Sequence, residues 1–350
     1  MTPDRARFES LDGLRALSIV PVVWHHATSG PMPGVLGRGP LGVDLFFTIS
    51  GFLITTLLLR ERASTGTVAL GAFWARRGLR IFPLYYLVLG LYALHAWLAR
   101  APGPVRDHFF ASLPWYATYT SNWFVDTDVP HPIPFVFAWS LATEEQFYAF
   151  WPWLLRARRL AVAAVAMAAL VAVDQAAERG ALPISGLALR VVTSLSTPIG
   201  LGALLAIALR WRPAARPLEV VLGAKASAPI APALLAWSAI APWPLLAAHL
   251  CMAALVGAVC VREDHGLRAL LEARAVRHVG AVSYGVYLLN VTVVVAAKRA
   301  LGEDHTLAVF LLGLAGSVAL ATLSHRLVER PFLSMRDRFR PAIRASGTSG

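Results

Sequence analysis

Apolar segments long enough to cross a lipid bilayer recur along almost the whole of this chain. A hydrocarbon core of about 30 Å needs roughly 20 mostly apolar residues per helical span. About ten segments approach that length: 13–30, 41–59, 81–99, 139–155, 160–177, 187–209, 226–241, 243–261, 279–297 and 306–324. Backbone N–H and C=O groups find no water inside a bilayer, so each segment must satisfy them internally as a helix. The expected fold class is all-α, a polytopic transmembrane helix bundle. The aromatic, nearly uncharged stretch 108–124 is an eleventh candidate.

Arginine placement decides between ten spans and eleven, because cytoplasmic loops collect Arg and Lys. With ten spans, the clusters Arg60/Arg62/Arg76/Arg77/Arg80, Arg156/Arg158/Arg159 and Arg326/Arg330/Arg336/Arg338 all fall on one side with both termini, which is then the cytoplasm. A crossing at 108–124 would invert every later loop, so 100–138 is expected as an external, aromatic, re-entrant loop. Residues 1–332 then form one membrane domain and 333–350 a basic, disordered cytoplasmic tail. The first span, which carries Arg15, His25 and His26, is expected as a retained signal anchor.

Composition supports this reading and removes others. The chain is 57% hydrophobic and 15% charged, against about 45–50% and 25% for soluble domains. Its net charge of +12 is scattered between apolar spans and forms no single basic face, which argues against nucleic acid. Cys251 and Cys260 share one apolar stretch, so neither a disulfide framework nor a metal site is expected.

Ionisable groups within a span cost at least about 2.5 kcal/mol on insertion scales, which makes each a functional candidate. Arg15 and His26 are eleven residues apart on the first span. At 100° per residue they share one face, about 16 Å apart along the axis, while His25 turns about 100° away. A histidine facing the bundle interior suits a general base, and an arginine near the inner surface suits an anion. The alternative is that His25 and His26 mark the outer interface and Arg15 snorkels to the inner one. Asp44 enters the second span from outside, at a depth expected to match His26, either orienting an imidazole or a substrate hydroxyl, or capping a helix. Gly51, beside Ser50, reads as a close-packing position. Arg77 and Arg80 point the same way at the cytoplasmic surface with Arg76 beside them, an anion site or a topology signal. Glu144 and Glu145 are adjacent within span four and diverge by about 100°, so at most one faces a given cavity. Glu144 is the expected partner of Arg15 or His26.

Six segments together resemble the integral membrane acyltransferase 3 family: SLDGLRAL through His26, GVDLFFTISGFLIT, ARRGLRIFPLYY, SNWF followed by WSLATEEQFYAFWP, VSYGVYLLN, and LVERPF. They occur in the family's order over residues 8–332. The resemblance implies transfer of an acyl group, by default acetyl, from cytoplasmic acyl-CoA to a hydroxyl of a sugar-containing acceptor, in the cytoplasmic membrane and without a metal. It implies a first-helix pair at Arg15 and His26, with His26 as general base or acyl relay. Arg15, Arg77 and Arg80 would handle the donor's phosphates, Glu144 would balance charge, and Asp44 would line the acceptor side. The acceptor class is a surface polysaccharide, glycolipid or glycosylated metabolite. The resemblance also leads one to expect His at the end of VSYGVYLLN, where Asn290 stands. Asn cannot shuttle a proton near neutral pH. Tyr284 and Tyr287 are candidates for a polar wall or for aromatic packing. Some relatives carry a fused hydrolase-like domain; with none expected here, a two-step relay would need a partner. Two other classes stay open, a glycoconjugate transporter using the same charges as a pathway, and an inactive scaffold.

Overall fold

Helices account for the regular structure of the computed structural model, which describes residues 8–28, 37–126, 133–157, 159–194, 196–241 and 243–339. The first is α1 (Glu9–Ala27), which continues unbroken through Pro21, followed by α2 (Leu41–Thr65) and α3 (Leu70–Ala99). Gly66 ends α2 at φ 83, where its N–H bonds the Arg62 carbonyl, a left-handed cap that glycine adopts without steric cost. Glu61 then accepts the Ala69 N–H at 2.7 Å and so ties the start of α3 back onto α2.

The segment between α3 and the next long helix is helical, where a loop was expected. α4 (Pro104–Ala117) and α5 (Ser121–Phe124) are too short to span a bilayer. Their contacts show a path that doubles back along α3. Near the end of α3, Arg106 stacks over Trp97 at 4.3 Å. At the other end of α4, the Tyr85 and Tyr86 hydroxyls of mid-α3 donate to the Tyr116 and Ala117 carbonyls, each at 2.8 Å. Tyr119 makes the turn at φ 54 and stacks on Tyr85 with ring centroids 4.4 Å apart. The Gln146 side chain donates to its carbonyl at 2.8 Å. The chain then returns through Phe135, which packs on Tyr92 near the end of α3.

The later helices are α6 (Ala138–Ala157), α7 (Leu160–Glu178), α8 (Gly186–Thr193), α9 (Thr197–Ala208), α10 (Arg212–Leu222), α11 (Ser227–Ile240) and α12 (Leu245–Val261). After the short α13 (Arg268–Leu271) and α14 (Arg274–Ala281) come α15 (Ser283–Leu301) and α16 (Thr306–Ser324). A π-turn at His325–Glu329 leads into α17 (Arg330–Met335).

Six stretches of these helices are long and apolar enough to cross a membrane, or seven if the pair α10–α11, bent by 82°, counts as one. They correspond to α2, α3, α7, α8 with α9, α15 and α16 continued to Met335. The remaining expected spans are also helical, but α1 carries Glu9, Asp12 and Arg15, and α6 carries Glu144, Glu145 and Arg156. α11 and α12 are 14 and 17 residues long. Charge and length, not loss of helix, separate them from the apolar set. Part of the expected tail is ordered, since the Phe339 carbonyl accepts from Arg76 at 2.6 Å. Residues 340–350 lie outside the described residues.

Aromatic and branched side chains of α1, α2, α3, α6 and α15 fill one large core, with Tyr85 and Phe135 fully buried. A second core joins α1 and α2 to α9, α11 and α12 around Phe52 and Met252. Outward-facing Leu91, Leu98, Leu312 and Leu323 form an apolar surface suited to lipid. Gly51 and Gly202 bring α2 and α9 together: a Cβ on Gly51 would strike the Ile199 carbonyl, and one on Gly202 the Thr48 carbonyl. The close-packing reading of Gly51 is thereby met, since small residues let helices in lipid approach closely. Gly202→Val is expected to cost about 1–3 kcal/mol or more, as overpacking does. Thermal unfolding of the purified variant in detergent measures it, and an unchanged transition would contradict this close approach.

Candidate active site

Two helices aim three cationic side chains into one cleft. Arg15 reaches it from α1, and Arg77 and Arg80 from α3, three residues apart and on one side of the helix. Arg76 turns away and pairs with Glu61 at 2.9 Å. Arg15 also meets Asp12 at 3.5 Å. With the solvent space open to it the cleft spans about 670 Å³, and Phe46, Phe47, Ile81 and Leu141 form its apolar wall.

α6 lines the cleft with a stripe at i, i+4 and i+8: Ser140, Glu144 and Tyr148. Glu144 is the only acidic side chain lining the cleft among the described residues. Its carboxylate accepts hydrogen bonds from the Ser50 hydroxyl of α2 and the Tyr148 phenol. The Arg77 guanidinium lies 4.9 Å from the centroid of that phenol ring, a cation–π placement that fixes both groups. Glu145, one residue on, does not line the cleft, as the 100° divergence requires. Three guanidinium groups facing one carboxylate leave the cleft with an excess of positive charge, complementary to an anionic ligand.

α15 supplies the opposite wall through Ser283, Tyr284 and Tyr287. The Tyr284 hydroxyl donates to the Ile81 carbonyl at 2.8 Å, and the Tyr287 hydroxyl lies 2.5 Å from Ser140 Oγ. Both tyrosines are thus wall and packing at once.

His26 is not in this cleft. It sits one turn farther along α15, where its Nδ1 is 2.6 Å from Asn290 Oδ1. The Asn290 amide orientation follows from its other bonds. Nδ2 donates to the Val286 and Tyr287 carbonyls at 3.1 and 2.6 Å, so the atom facing His26 is the acceptor oxygen. His26 Nδ1 must then carry the proton, and Nε2 of the neutral ring keeps its lone pair. Asn290 needs no proton of its own to do this. Arg15 and His26 both face α15, as their shared helix face requires.

Asp44 is not brought to His26, nor to the same depth. Gly39 abuts His25, while Gly42 abuts Ser18 and Val22, so Asp44 lies more than a turn deeper. Its carboxylate meets His249 Nε2 of α12 at 3.2 Å. Nearby in sequence to the α7 end, Asp174 accepts from the backbone and the hydroxyl of Thr197 at 2.7 and 2.6 Å. Sequence reasoning missed His249 and Asp174, although each is ionisable within an apolar run, the signal that singled out Glu144. It also missed Tyr148, whose i, i+4 spacing from Glu144 was legible.

Apolar helices around an inward-facing charged cleft define a multi-pass integral membrane protein. The sequence profile described as an acyltransferase domain, that of the acyltransferase 3 family, matches residues 8–326, and the chain belongs to that family. Among similar proteins is the peptidoglycan O-acetyltransferase OatA of Listeria monocytogenes, 33% identical over 150 residues, which cover 41% of this chain and 23% of that one. A Staphylococcus aureus (strain COL) protein provisionally named an O-acetyltransferase is 38% identical over 152 residues, covering 41% and 24%. A Bacillus subtilis protein, provisionally a peptidoglycan O-acetyltransferase, is 32% identical over 154 residues, covering 41% and 23%. The match thus spans about a quarter of the length of these curated relatives. No solved structure matches the chain.

Proposed function

We propose that the protein is an integral membrane O-acyltransferase that moves an acyl group, acetyl by default, from acyl-CoA to a hydroxyl of a sugar-containing acceptor. The observation that carries this reading is the convergence of Arg15, Arg77 and Arg80 on one cleft. That site suits a donor whose phosphates are anionic and whose acyl group lies at the far end of a flexible arm. Family membership supplies the reaction class. The relatives' names supply O-acetylation, and two of them name peptidoglycan as their acceptor.

In this reading the donor phosphates sit among the three arginines, and Glu144, held by Ser50 and Tyr148, balances and orients them. About 16 Å farther along α1, His26 Nε2 meets the thioester. In direct transfer, Nε2 takes the proton of the acceptor hydroxyl as its oxygen bonds to the acyl carbon. The C–S bond then breaks, and the imidazolium returns the proton to the leaving thiolate. In a relay, Nε2 bonds the acyl carbon as the C–S bond breaks and CoA leaves as the thiolate; the acceptor oxygen then bonds the acyl carbon as the C–N bond breaks, and its proton passes to that thiolate. Both routes use the lone pair that Asn290 leaves on Nε2.

This reading places the chain in the cytoplasmic membrane with about ten crossings, α1, α6, α11 and α12 included, and with both termini in the cytoplasm. Residues 1–332 form the membrane domain. The test is transfer from radiolabelled acetyl-CoA by the nanodisc-held protein to a supplied peptidoglycan fragment or other glycan. Label that appears on a glycan hydroxyl is the expected result. A glycan that crosses a liposome membrane with unchanged mass, with no label transferred, would overturn the reading in favour of transport.

A further inference from the structure

A second groove lies on the lipid-facing side of α3 and α15, outside the cleft already described. Val88, Leu91, Tyr92 and His95 line it from α3, at the i, i+3, i+4 and i+7 spacing of one helix face. Leu289, Thr292, Val295, Ala296 and Arg299 line it from α15 with the same periodicity. Counted with the solvent space open to it, the groove spans about 1050 Å³.

Its polarity runs one way. The shared stretch is apolar over most of its length, and both stripes end in an arginine at the same end of the bundle: Arg100, just past the end of α3, and Arg299 on α15. No acidic side chain lines it among the described residues. From Leu289 to Arg299 the helix rises about 15 Å, half of a bilayer core of about 30 Å and so the depth of one leaflet. Two other cations at this end are occupied by the protein itself. Arg106 covers Trp97, and Lys298 Nζ donates to the Thr28 carbonyl at 3.3 Å. The side chains of Arg100 and Arg299 make no hydrogen bond or ion pair among the described residues. The groove is open laterally, with Leu91 53% exposed.

We propose that this groove is a binding site for a membrane lipid with a net-negative phosphate headgroup, its chain along the apolar stripes and its phosphate between Arg100 and Arg299. Charge complementarity selects the headgroup, and the one-leaflet length selects a lipid over a soluble phosphate. The site adjoins the catalytic layer, since Leu289 precedes Asn290, but it does not depend on the acyl-transfer reading.

The test uses the full chain, purified in neutral detergent and titrated with phosphatidylglycerol, phosphatidylcholine or soluble glycerol phosphate. Retained lipid is counted by native mass spectrometry, and the thermal transition is followed in parallel. Phosphatidylglycerol is expected to be retained and to raise the transition, and phosphatidylcholine is not. R100Q/R299Q is expected to weaken retention by about tenfold or more, each arginine near an anionic headgroup contributing measurably. Ala296→Trp, which fills the apolar stripe and leaves both cations, is expected to abolish it. Arg179→Gln, a control just past the end of α7, is expected to leave it unchanged. Equal retention of both lipids, or by wild type and R100Q/R299Q, would show only annular lipid and overturn the proposal. Loss in Arg179→Gln as large as in R100Q/R299Q, or an equal shift with glycerol phosphate, would overturn it too.

Discussion

His26→Ala is expected to lower acyl transfer by about 10²–10⁴-fold, the range that a positioned general base contributes, with donor binding retained. The separation follows from the geometry: the arginines proposed to hold the donor lie in the cleft, and His26 lies outside it. Asn290 offers a finer test, because it acts only through the imidazole. Asn290→Leu removes the acceptor that holds the proton on Nδ1, so Nε2 carries it part of the time and loses its lone pair. A loss of about 10–100-fold in kcat is expected, similar to that for partners that orient metal-bound imidazoles, with KM for the donor unchanged. Asn290→His restores an acceptor nitrogen and is expected to recover most of the rate. Steady-state kinetics with acetyl-CoA read both numbers. Transfer at the wild-type rate in His26→Ala would remove the imidazole from the mechanism, and a rise in KM alone in Asn290→Leu would mean that Asn290 shapes donor binding instead.

The paired substitution R77Q/R80Q is expected to weaken donor binding by about 100-fold or more. Hydrogen bonds to charged groups contribute about 1.5–3 kcal/mol each, and each 1.4 kcal/mol is tenfold. Its effect on the unliganded protein has the opposite sign. Arg15, Arg77 and Arg80 face one another across the cleft with Glu144 as the one acidic liner, and Arg80 and Arg77 both act on Arg15 as like charges. Removing two of the three relieves that repulsion, so the unliganded double variant should unfold at the same temperature as wild type or higher. Binding sites commonly hold such uncompensated charge at the expense of stability. Calorimetric titration with CoA, beside thermal unfolding without it, separates the two effects. Undiminished CoA affinity would show that the cleft is not the phosphate site, and a large fall in unliganded stability would make the arginines structural.

Periodicity and charge made much of this protein legible before any coordinates. Helix was forced by apolar length, because hydrocarbon leaves the backbone no other partner. The shared face of Arg15 and His26 and the divergence of Glu144 from Glu145 follow from 100° per residue, and both hold in the bundle. The segment after α3 was legible as aromatic and nearly uncharged, but its short helices were not, since Tyr85 and Tyr86 of α3 hold the end of α4 and Gln146 of α6 holds the Tyr119 turn that follows it.

Partnerships between helices lay beyond the linear pattern. Depth along a span suggested that Asp44 stands beside His26, whereas the close approach of α2 to α1 at Gly42 draws it deeper, to His249 on α12. Asn290 looked like a lost proton carrier until its amide was seen donating to its own helix and accepting from His26. Local repeats dictate which face of a helix a side chain occupies. Which other helix meets that face, at what register, is set by packing among segments far apart in the chain, and only the folded bundle contains that information.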